Sequence, residues 1–435
     1  MPAPPLGASP PHLVQPPPGP RSRALVDRLA RSECPAFTAR RARRAEASGA
    51  SQDPIVWAEA RGANVVDADG NVFVDLTSGF GVQAVGHAHP RVVEAVRRQA
   101  GRLLHGLGDL HPSDVKIALL DRLAELAPWD EARVVLSLNG ADAVETALKT
   151  AVLATGRSGV LAFEGGYHGL AHGPLAACGY APGFRRPFAA QLNPHVRFAA
   201  WHEAELGDAL AAVDAAWGDD VGAVLVEPLQ GRGGIRPAPP GFLAALAERC
   251  RARGALLVVD EILTGLGRCG ARWLSVAQGA EPDLLCAGKA LGGGLPVSAC
   301  LGRADVMAAW GAPDGEAIHT GTFYGHPLGA AAALAALDVL EEEALAARAQ
   351  ELGERFAGAL HEATGRPVTG AGLMLGVRYE GSTLPLVARL LARGYLTLPA
   401  GAGATTLQLA PPLTIDEALL DGFVATLAEL GDGAG

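Results

Sequence analysis

Between residues 133 and 301, short apolar runs alternate with stretches of helical pattern, and this alternation constrains the fold more than any other feature. Strands that are apolar along their whole length and separated by helices are typical of a parallel sheet that is buried on both faces. The six runs are 134–136, 160–163, 223–226, 256–259, 284–286 and 297–301. We therefore predict an α/β fold with a mainly parallel sheet flanked by helices, whose strand order the sequence leaves open.

The segments outside this region predict a second, smaller domain. Residues 1–22 are rich in proline and lack the apolar core of a secretion signal, so we expect a disordered tail. Residues 23–85 include an alternating apolar and polar stretch, which indicates a hairpin. Residues 328–435 contain two alanine-rich helical stretches and then a βαβ-like pattern. We expect the segments 23–85 and 328–435 to form one small α+β domain beside a large domain of residues 86–327.

The charge balance and the cysteines narrow the classes of partner. The formal net charge is −10, which argues against a general role in binding nucleic acid or a membrane surface. No apolar run in the sequence reaches the length of a membrane span. The six cysteines form no Cys-x-x-Cys pair, and a chain of this length gains little from disulfides. We expect reduced thiols and a cytoplasmic protein that binds neither nucleic acid nor membranes.

Two side chains near the predicted sheet point to a specific chemistry. Asp260 ends the run 256–259, at the sheet edge where open α/β folds bind ligands. Lys289 follows the run 284–286 in a loop whose glycines let the backbone approach a flat ligand. Pyridoxal phosphate (PLP) chemistry needs a carboxylate that keeps a pyridine nitrogen protonated and an amine that forms a Schiff base with an aldehyde. Taken singly, Asp260 could instead cap a turn, and Lys289 could be a surface lysine.

Two further motifs bear on bound groups. Asn139-Gly140-Ala141 precedes a helical stretch, and the free N–H groups of a helix start suit a phosphate, although simple helix capping is the alternative interpretation. His168 and His172 raise the question of a metal. Each is followed by glycine, which argues against a ligand-bearing helix, and the sequence has no His-Glu-x-x-His motif. We therefore expect no metal site.

Taken in order, these motifs resemble the class III family of PLP-dependent aminotransferases, of fold type I, over about residues 55–430. Further matching segments are Gly165-Gly166-Tyr167-His168-Gly169, Val226-Glu227-Pro228 and Gly321-Thr322-Phe323. The resemblance implies a seven-stranded type of sheet in a PLP-binding large domain, with Lys289 and Asp260 as catalytic residues. The cofactor contacts that it implies are Asn139, Gly140, Ala141, Tyr167, His168, Glu227, Asp260, Ile262, Lys289 and Thr322.

The resemblance also implies how some of these contacts are made. Tyr167 and Ile262 are expected on the two faces of the cofactor ring. Thr322 is expected to reach the phosphate that the neighbouring subunit binds, which implies a homodimer with shared active sites.

Four positions that bear on the substrate pocket depart from the pattern of this family. Leu170 and Gln408 stand where many members have arginines that bind a substrate carboxylate. Arg232 stands where members often have the glutamate that holds the second of these arginines. Leu263 replaces a glutamine that contacts the cofactor ring, which makes the pocket more apolar. We hypothesise that Arg232 takes over carboxylate binding, and the alternative is a rim arginine that faces solvent. Other candidates are Arg185, Arg186 and Arg378.

The resulting expectation is a transaminase with PLP as its cofactor. Its donor is an amine, an ω-amino acid or a diamine (4-aminobutyrate, diaminobutyrate or ornithine-like), and its acceptor is a keto acid, either 2-oxoglutarate or pyruvate. The loss of the two carboxylate-binding arginines weakens an assignment to the acetylornithine or ornithine branch itself. The apolar Leu170 and Leu263 suit an amine, an ω-amino acid or a diamine better. The alternatives are a PLP-dependent amino-acid racemase or aminomutase on the same scaffold, and a noncatalytic PLP-fold binding protein. The intact Asp260 and Lys289 argue against the last of these.

Overall fold

The structure, a computed structural model, describes residues 6–49, 52–311 and 316–431 of the chain. The strands of these residues are β1 (Trp57–Arg61), β2 (Asn64–Asp67), β3 (Val72–Asp75), β4 (Ala132–Ser137), β5 (Gly159–Phe163), β6 (Val196–Ala199), β7 (Val221–Val226), β8 (Leu229–Gln230), β9 (Arg236–Pro237), β10 (Leu256–Asp260), β11 (Leu284–Ala287), β12 (Ser298–Arg303), β13 (Val368–Ala371), β14 (Met374–Arg378), β15 (Tyr395–Leu396), β16 (Leu398–Ala400) and β17 (Thr406–Leu409).

The helices surround and connect these strands. They are α1 (Pro20–Ser32), α2 (Pro35–Ser48), α3 (Ser78–Gly81), α4 (Pro90–Ala100), α5 (Asp114–Leu126), α6 (Gly140–Thr155), α7 (His172–Ala176), α8 (Pro182–Arg185), α9 (Leu206–Ala216), α10 (Phe242–Arg253), α11 (Leu274–Ala277), α12 (Ala304–Met307), α13 (Pro327–Glu342), α14 (Leu345–Thr364), α15 (Leu384–Leu391) and α16 (Glu417–Leu430). Short 3₁₀ turns occupy Arg186–Gln191, Lys289–Gly292 and Ala308–Gly311.

The largest sheet has seven strands in the order β4-β12-β11-β10-β7-β5-β6. Strand β12 runs antiparallel to both of its neighbours, β11 and β4, and the other printed pairings of this sheet are parallel. Side chains of β7 and β10 alternate between two apolar clusters: Val224 and Val226 pack toward α9 and α10, whereas Ala223 and Leu225 pack toward α6. The sheet is thus buried on both faces, and the predicted α/β class is confirmed.

One strand of this sheet was missing from the sequence prediction. Strand β6 lies at the edge of the sheet, where it pairs only with β5. Its sequence, VRFA, is half-buried over its first three residues, and Arg197 reaches outward to Asp220. An edge strand needs no continuous apolar run, so the pattern that located the central strands gave no signal for it.

The two ends of the chain meet in the smaller part of the molecule. Strand β15, from the C-terminal segment, adds to the N-terminal hairpin in the sheet β1-β2-β3-β15 and runs parallel to β3. A second sheet, β13-β14-β17-β16, is antiparallel and packs against α14. The expected small α+β part built from both terminal segments is therefore present, and the boundaries 23–85, 86–327 and 328–435 stay predictions.

The proline-rich segment differs from the disordered tail that was expected for residues 1–22. Residues 1–5 lie outside the described residues, but the following ones lie along the β2–β3 hairpin. The side chain of Asn64 accepts the N–H groups of Gly7 and Ser9, each at 2.8 Å, and His12 pairs with Val72. Side-chain acceptors on the hairpin thus bind several N–H groups of this segment. Its prolines have no N–H group that needs an acceptor, and they lose little conformational entropy on ordering.

A buried arginine joins the large sheet to the smaller part. Arg268, in the loop region after β10, is 1% exposed. Its guanidinium donates to the carbonyl oxygens of Leu373 and Pro411 and to the hydroxyl of Ser78. Burial lowers the pKa of Arg268 to about 10, so it stays charged at neutral pH. These bonds hold together the two parts of the molecule beside the carboxyl edge of the sheet.

Within the described parts of the chain, no helix has the length and apolar character that crossing a bilayer requires.

Candidate active site

A cavity of about 580 Å³ opens at the carboxyl edge of the seven-stranded sheet. It brings together residues that are far apart in sequence, because the loops after β4, β5, β7, β10 and β11 all reach this edge. The residues singled out from the sequence that line it are Asn139, Gly140, Ala141, Tyr167, His168, Leu170, Glu227, Arg232, Asp260, Ile262, Leu263 and Lys289. Thr322 and Gln408 do not line it.

Asp260 is a buried carboxylate with two partners. It ends β10 at the centre of the sheet, and its Oδ1 accepts the N–H of Ile262 at 3.1 Å. Its Oδ2 lies 2.8 Å from Nδ1 of His168. Burial by itself lowers the pKa of His168, but the hydrogen bond and the negative charge of Asp260 outweigh it and raise that pKa. The histidine therefore fixes the orientation of the Asp260 carboxylate.

The sequence predicts His168 as a cofactor contact, but it does not predict the hydrogen bond between His168 and Asp260. His168 and Asp260 are 92 positions apart. No spacing rule connects them, and only the parallel neighbours β5, β7 and β10 bring the loop after β5 against the end of β10.

Lys289 is the amine of the cavity. It begins the 3₁₀ turn after β11 with a φ of +37°, a left-handed conformation that side-chain-bearing residues rarely adopt. Such strain is found mostly at functional sites, where the surrounding structure holds it. Burial lowers the pKa of Lys289, the carboxylates of Asp260 and Glu227 oppose this, and Arg232 adds to it. A lowered pKa raises the fraction of free amine, which is the nucleophilic form.

The start of α6 supplies donors without acceptors. Asn139 caps this helix, and its side chain accepts the N–H of Asp142 at 3.1 Å. The N–H groups of Gly140 and Ala141, which line the cavity, meet no hydrogen-bond acceptor among the residues that the structure describes. Unpaired donors at the positive end of a 16-residue helix form a site for an anion such as a phosphate group.

The wall of the cavity beside this helix is shaped by Ile262. A Cβ built on Gly140 lies 2.6 Å from Cδ1 of Ile262, so any side chain at position 140 collides with it. The glycine therefore lets the helix start and the isoleucine approach each other, which leaves room for a flat group in front of them.

Glu227 ties two loops of the site together. Its carboxylate accepts the N–H of Tyr167 at 2.8 Å and the N–H of Gly231 at 3.0 Å. It is buried, and burial raises its pKa to about 7, while nearby His168 lowers the pKa and Asp260 raises it. The predicted cofactor contact is thus also the residue that positions the Tyr167 loop against the loop of Arg232.

Arg232 lies between two tyrosines. Its guanidinium carbon is 4.6 Å from the ring centroid of Tyr167 and 5.1 Å from that of Tyr180. Its Nε atom is buried and has no hydrogen-bond partner in the described structure. Tyr180 was not singled out from the sequence, because nothing in its surroundings there marks it.

The other arginines that the sequence raised lie outside the cavity. Arg378 pairs with Glu203 and Arg185 stacks on Phe198 at 4.3 Å, and neither of them nor Arg186 lines the cavity. Gln408 belongs to β17, opposite Gly376 of β14. Thr322 borders a separate small cleft together with Lys116.

The two histidines that raised the question of a metal have other neighbours. His168 bonds to Asp260, and the ring of His172 lies against that of Phe188. Among the described residues, no group of three or more histidine, cysteine, aspartate or glutamate side chains is placed to hold a metal ion.

Comparisons with known proteins point to one family of enzymes. The model of the family "Aminotransferase class-III" matches residues 46–430. The acetylornithine aminotransferase of Methanopyrus kandleri is 38% identical over 384 residues, which cover 88% of this chain and 95% of that protein. The crystal structure of the ornithine aminotransferase from Toxoplasma gondii superposes with a TM-score of 0.81 at 29% identity, over 94% of each chain. A PLP-bound amine transaminase from an uncultivated Pseudomonas species has a TM-score of 0.80 at 28% identity, over 87% of this chain and 94% of that one.

Proposed function

This chain belongs to the class III aminotransferases, and from that premise we propose that it moves an amino group from an amine, an ω-amino acid or a diamine to a keto acid with the help of PLP. The observation that carries the proposal is the convergence of Lys289, Asp260 and the unpaired N–H groups of Gly140 and Ala141 on one cavity. The donor loses its amino group and gains a carbonyl oxygen from water, and the keto acid makes the opposite exchange. The water that the first half-reaction consumes is therefore released in the second.

The residues of the cavity fit the cofactor that this family uses. When bound, PLP supplies an aldehyde that captures amines and a ring that accepts electrons from the carbon beside the nitrogen. Lys289 would hold the aldehyde, and the carboxylate of Asp260 would keep the ring nitrogen protonated. The start of α6 would hold the phosphate through the N–H groups of Gly140 and Ala141. Tyr167 and Ile262 also line the cavity and would contact the ring.

Lys289 also moves the proton that the reaction requires. With a donor bound in the cavity, the amine of Lys289, which lines that cavity, would be within reach of the reacting carbon. Because its pKa is lowered, it can accept the proton of the reacting carbon and later return a proton. Glu227 and His168 touch no reacting atom in this scheme, and they position Tyr167 and Asp260 respectively.

The donor class follows from the apolar walls of the cavity. Leu263 lines it where a polar contact was expected from the family pattern, and Leu170, 47% exposed, lines its mouth. These side chains favour a donor with an aliphatic chain next to its amine. The names of the relatives, acetylornithine aminotransferase and ornithine aminotransferase, suggest donors of this kind, in which an aliphatic chain carries the amine.

A panel of donors tests the assignment. We expect amine transfer from 4-aminobutyrate, 2,4-diaminobutyrate or a simple alkylamine to pyruvate or 2-oxoglutarate, measured as new amino acid by chromatography. Turnover of a single amino acid without any acceptor would instead identify a racemase or aminomutase. A preparation that carries PLP but transfers no amine to any acceptor would support the noncatalytic binding protein.

We also propose that the protein is a homodimer in which Thr322 of each subunit completes the phosphate site of the other. Support comes from exposed apolar side chains in the two chain segments that meet near Thr322. His105 borders the same cleft as Thr322, and its ring centroid is 5.3 Å from that of Phe323. In these segments Leu104 is 60% exposed, Leu110 is 73% exposed and Phe323 is 57% exposed. Exposed apolar side chains that lie together often mark a protein interface. The six cysteines are free thiols, which suits the expected cytoplasmic location.

Changing this surface should separate the subunits. We expect the wild type to sediment at twice the chain mass, and the double variant Leu104→Glu/Leu110→Glu to sediment as a monomer with at least about tenfold weaker PLP binding. Leu29→Glu, at an exposed leucine of α1, is the matched control and should stay dimeric. A monomeric wild type, or a double variant that stays dimeric, contradicts the proposal.

A further inference from the structure

The cavity contains a cation, Arg232, that forms no ion pair with any carboxylate of the described residues. Of the described residues that line it, the cationic ones are Arg232 and Lys289, and the acidic ones are Glu227 and Asp260. We propose that Arg232 is the residue that binds the carboxylate of the keto acid and of any amino-acid donor. This inference rests on the proposed function, because it specifies how that reaction selects its substrates.

The two carboxylates of the cavity are committed to other partners. Glu227 accepts two backbone N–H groups, from Tyr167 and Gly231. Asp260 is bonded to His168 and to the N–H of Ile262. Neither forms an ion pair with Arg232 in the described structure, so its charge is available to a ligand.

Two other arginines, in contrast to Arg232, form ion pairs within the protein. Arg236 and Arg378 converge on the single carboxylate of Glu203, and their charges are therefore used within the protein. Arg232 has no such partner among the described residues, and its buried Nε has no acceptor. A desolvated donor without an acceptor is costly, and a substrate carboxylate that accepts from it removes that cost.

The position of the guanidinium is held from several sides. The tyrosine rings of Tyr167 and Tyr180 stack against it, and the hydroxyl of Tyr180 donates to the carbonyl of Gly401 at 3.2 Å. Gly401 in turn donates its N–H to the carbonyl of Arg232 at 3.0 Å. A cation fixed in this way loses little side-chain entropy when it forms a forked pair with a carboxylate.

The surroundings of Arg232 favour an anion further. Burial is the main cause of the lowered pKa of Lys289, and the positive charge of Arg232 contributes to it. A bound carboxylate between Arg232 and the reacting amine would relieve this repulsion, whereas a second cation there would increase it.

The test compares Arg232→Gln and Arg232→Lys with the control Arg185→Gln, all as PLP-loaded enzymes. Arg185 also stacks on an aromatic ring, that of Phe198, but does not line the cavity. For Arg232→Gln we expect the KM for the keto acid that the wild type uses to rise about 100-fold. The absorbance change that follows mixing with butylamine, a donor without a carboxylate, should alter less than about threefold. Arg232→Lys keeps the charge but loses the fork, and its KM should rise about tenfold.

A second readout does not depend on catalysis. Titration calorimetry with glutarate, an inert dicarboxylate, should show binding to the wild type and to Arg185→Gln but none to Arg232→Gln. Unchanged KM and glutarate binding in Arg232→Gln, or their loss in Arg185→Gln instead, would overturn the inference. A wild type that binds glutarate but converts no amine would refute the proposed function. The glutarate titration of Arg232→Gln would then still decide whether Arg232 binds a carboxylate.

Discussion

Lys289→Ala is expected to reduce amine transfer by at least about 10⁴-fold, because one side chain is assigned both the covalent attachment of the cofactor and the movement of the substrate proton. Alanine leaves the burial of Asp260 and the start of α6 intact, so the variant should still fold and still bind PLP, although without a covalent bond. The loss should appear in kcat rather than in KM for the donor.

The chain is well suited to this experiment because it contains three lysines, Lys116, Lys149 and Lys289. Borohydride reduction of the wild type should attach the cofactor to Lys289 and to neither of the others, as read by peptide mass. Lys149→Ala, at a side chain that is 43% exposed on α6, is the matched control and should keep wild-type activity. Reduction that labels another lysine, or an active Lys289→Ala enzyme, would be incompatible with the assigned role.

Asp260→Asn is expected to reduce kcat/KM by about 10³-fold. The amide has nearly the same shape as the carboxylate but no charge, so it cannot keep a ring nitrogen protonated in a buried site. The substitution also removes the negative charge that outweighs burial at His168, and the pKa of that histidine should then fall below its present value. The pH dependence of the donor half-reaction should therefore shift along with its rate.

The neighbouring residue provides the control for Asp260→Asn. Glu261 is also buried, but its carboxylate accepts from Ser275 and Thr264 and does not line the cavity. Glu261→Gln should keep kcat within about threefold per folded molecule, even if its thermal midpoint falls. Equal losses of activity in both variants would mean that Asp260 acts through folding alone and not through the cofactor.

Local sequence patterns predict the central strands of the large sheet, but they predict neither its edge strand β6 nor the order of the proline-rich segment. Each central strand is apolar over its whole length because both faces are buried, and that requirement is written into consecutive residues such as those of β7. The edge strand β6 and the proline-rich segment from Gly7 onward escaped prediction for one reason. Their order depends on partners elsewhere in the chain, strand β5 and Asn64 respectively, rather than on their own composition.

The candidate site likewise combines features that the local sequence predicts with contacts that it does not predict. The sequence by itself determined the chemical groups: the carboxylate of Asp260 at a strand end, the amine of Lys289 among glycines, and the donors at the start of α6, since each depends on a few consecutive residues. Only the tertiary structure decided that His168 holds Asp260 and that Tyr167 and Tyr180 enclose the guanidinium of Arg232. Those contacts join residues that are distant along the chain, and their geometry is set by the order of the strands, which no local pattern contains.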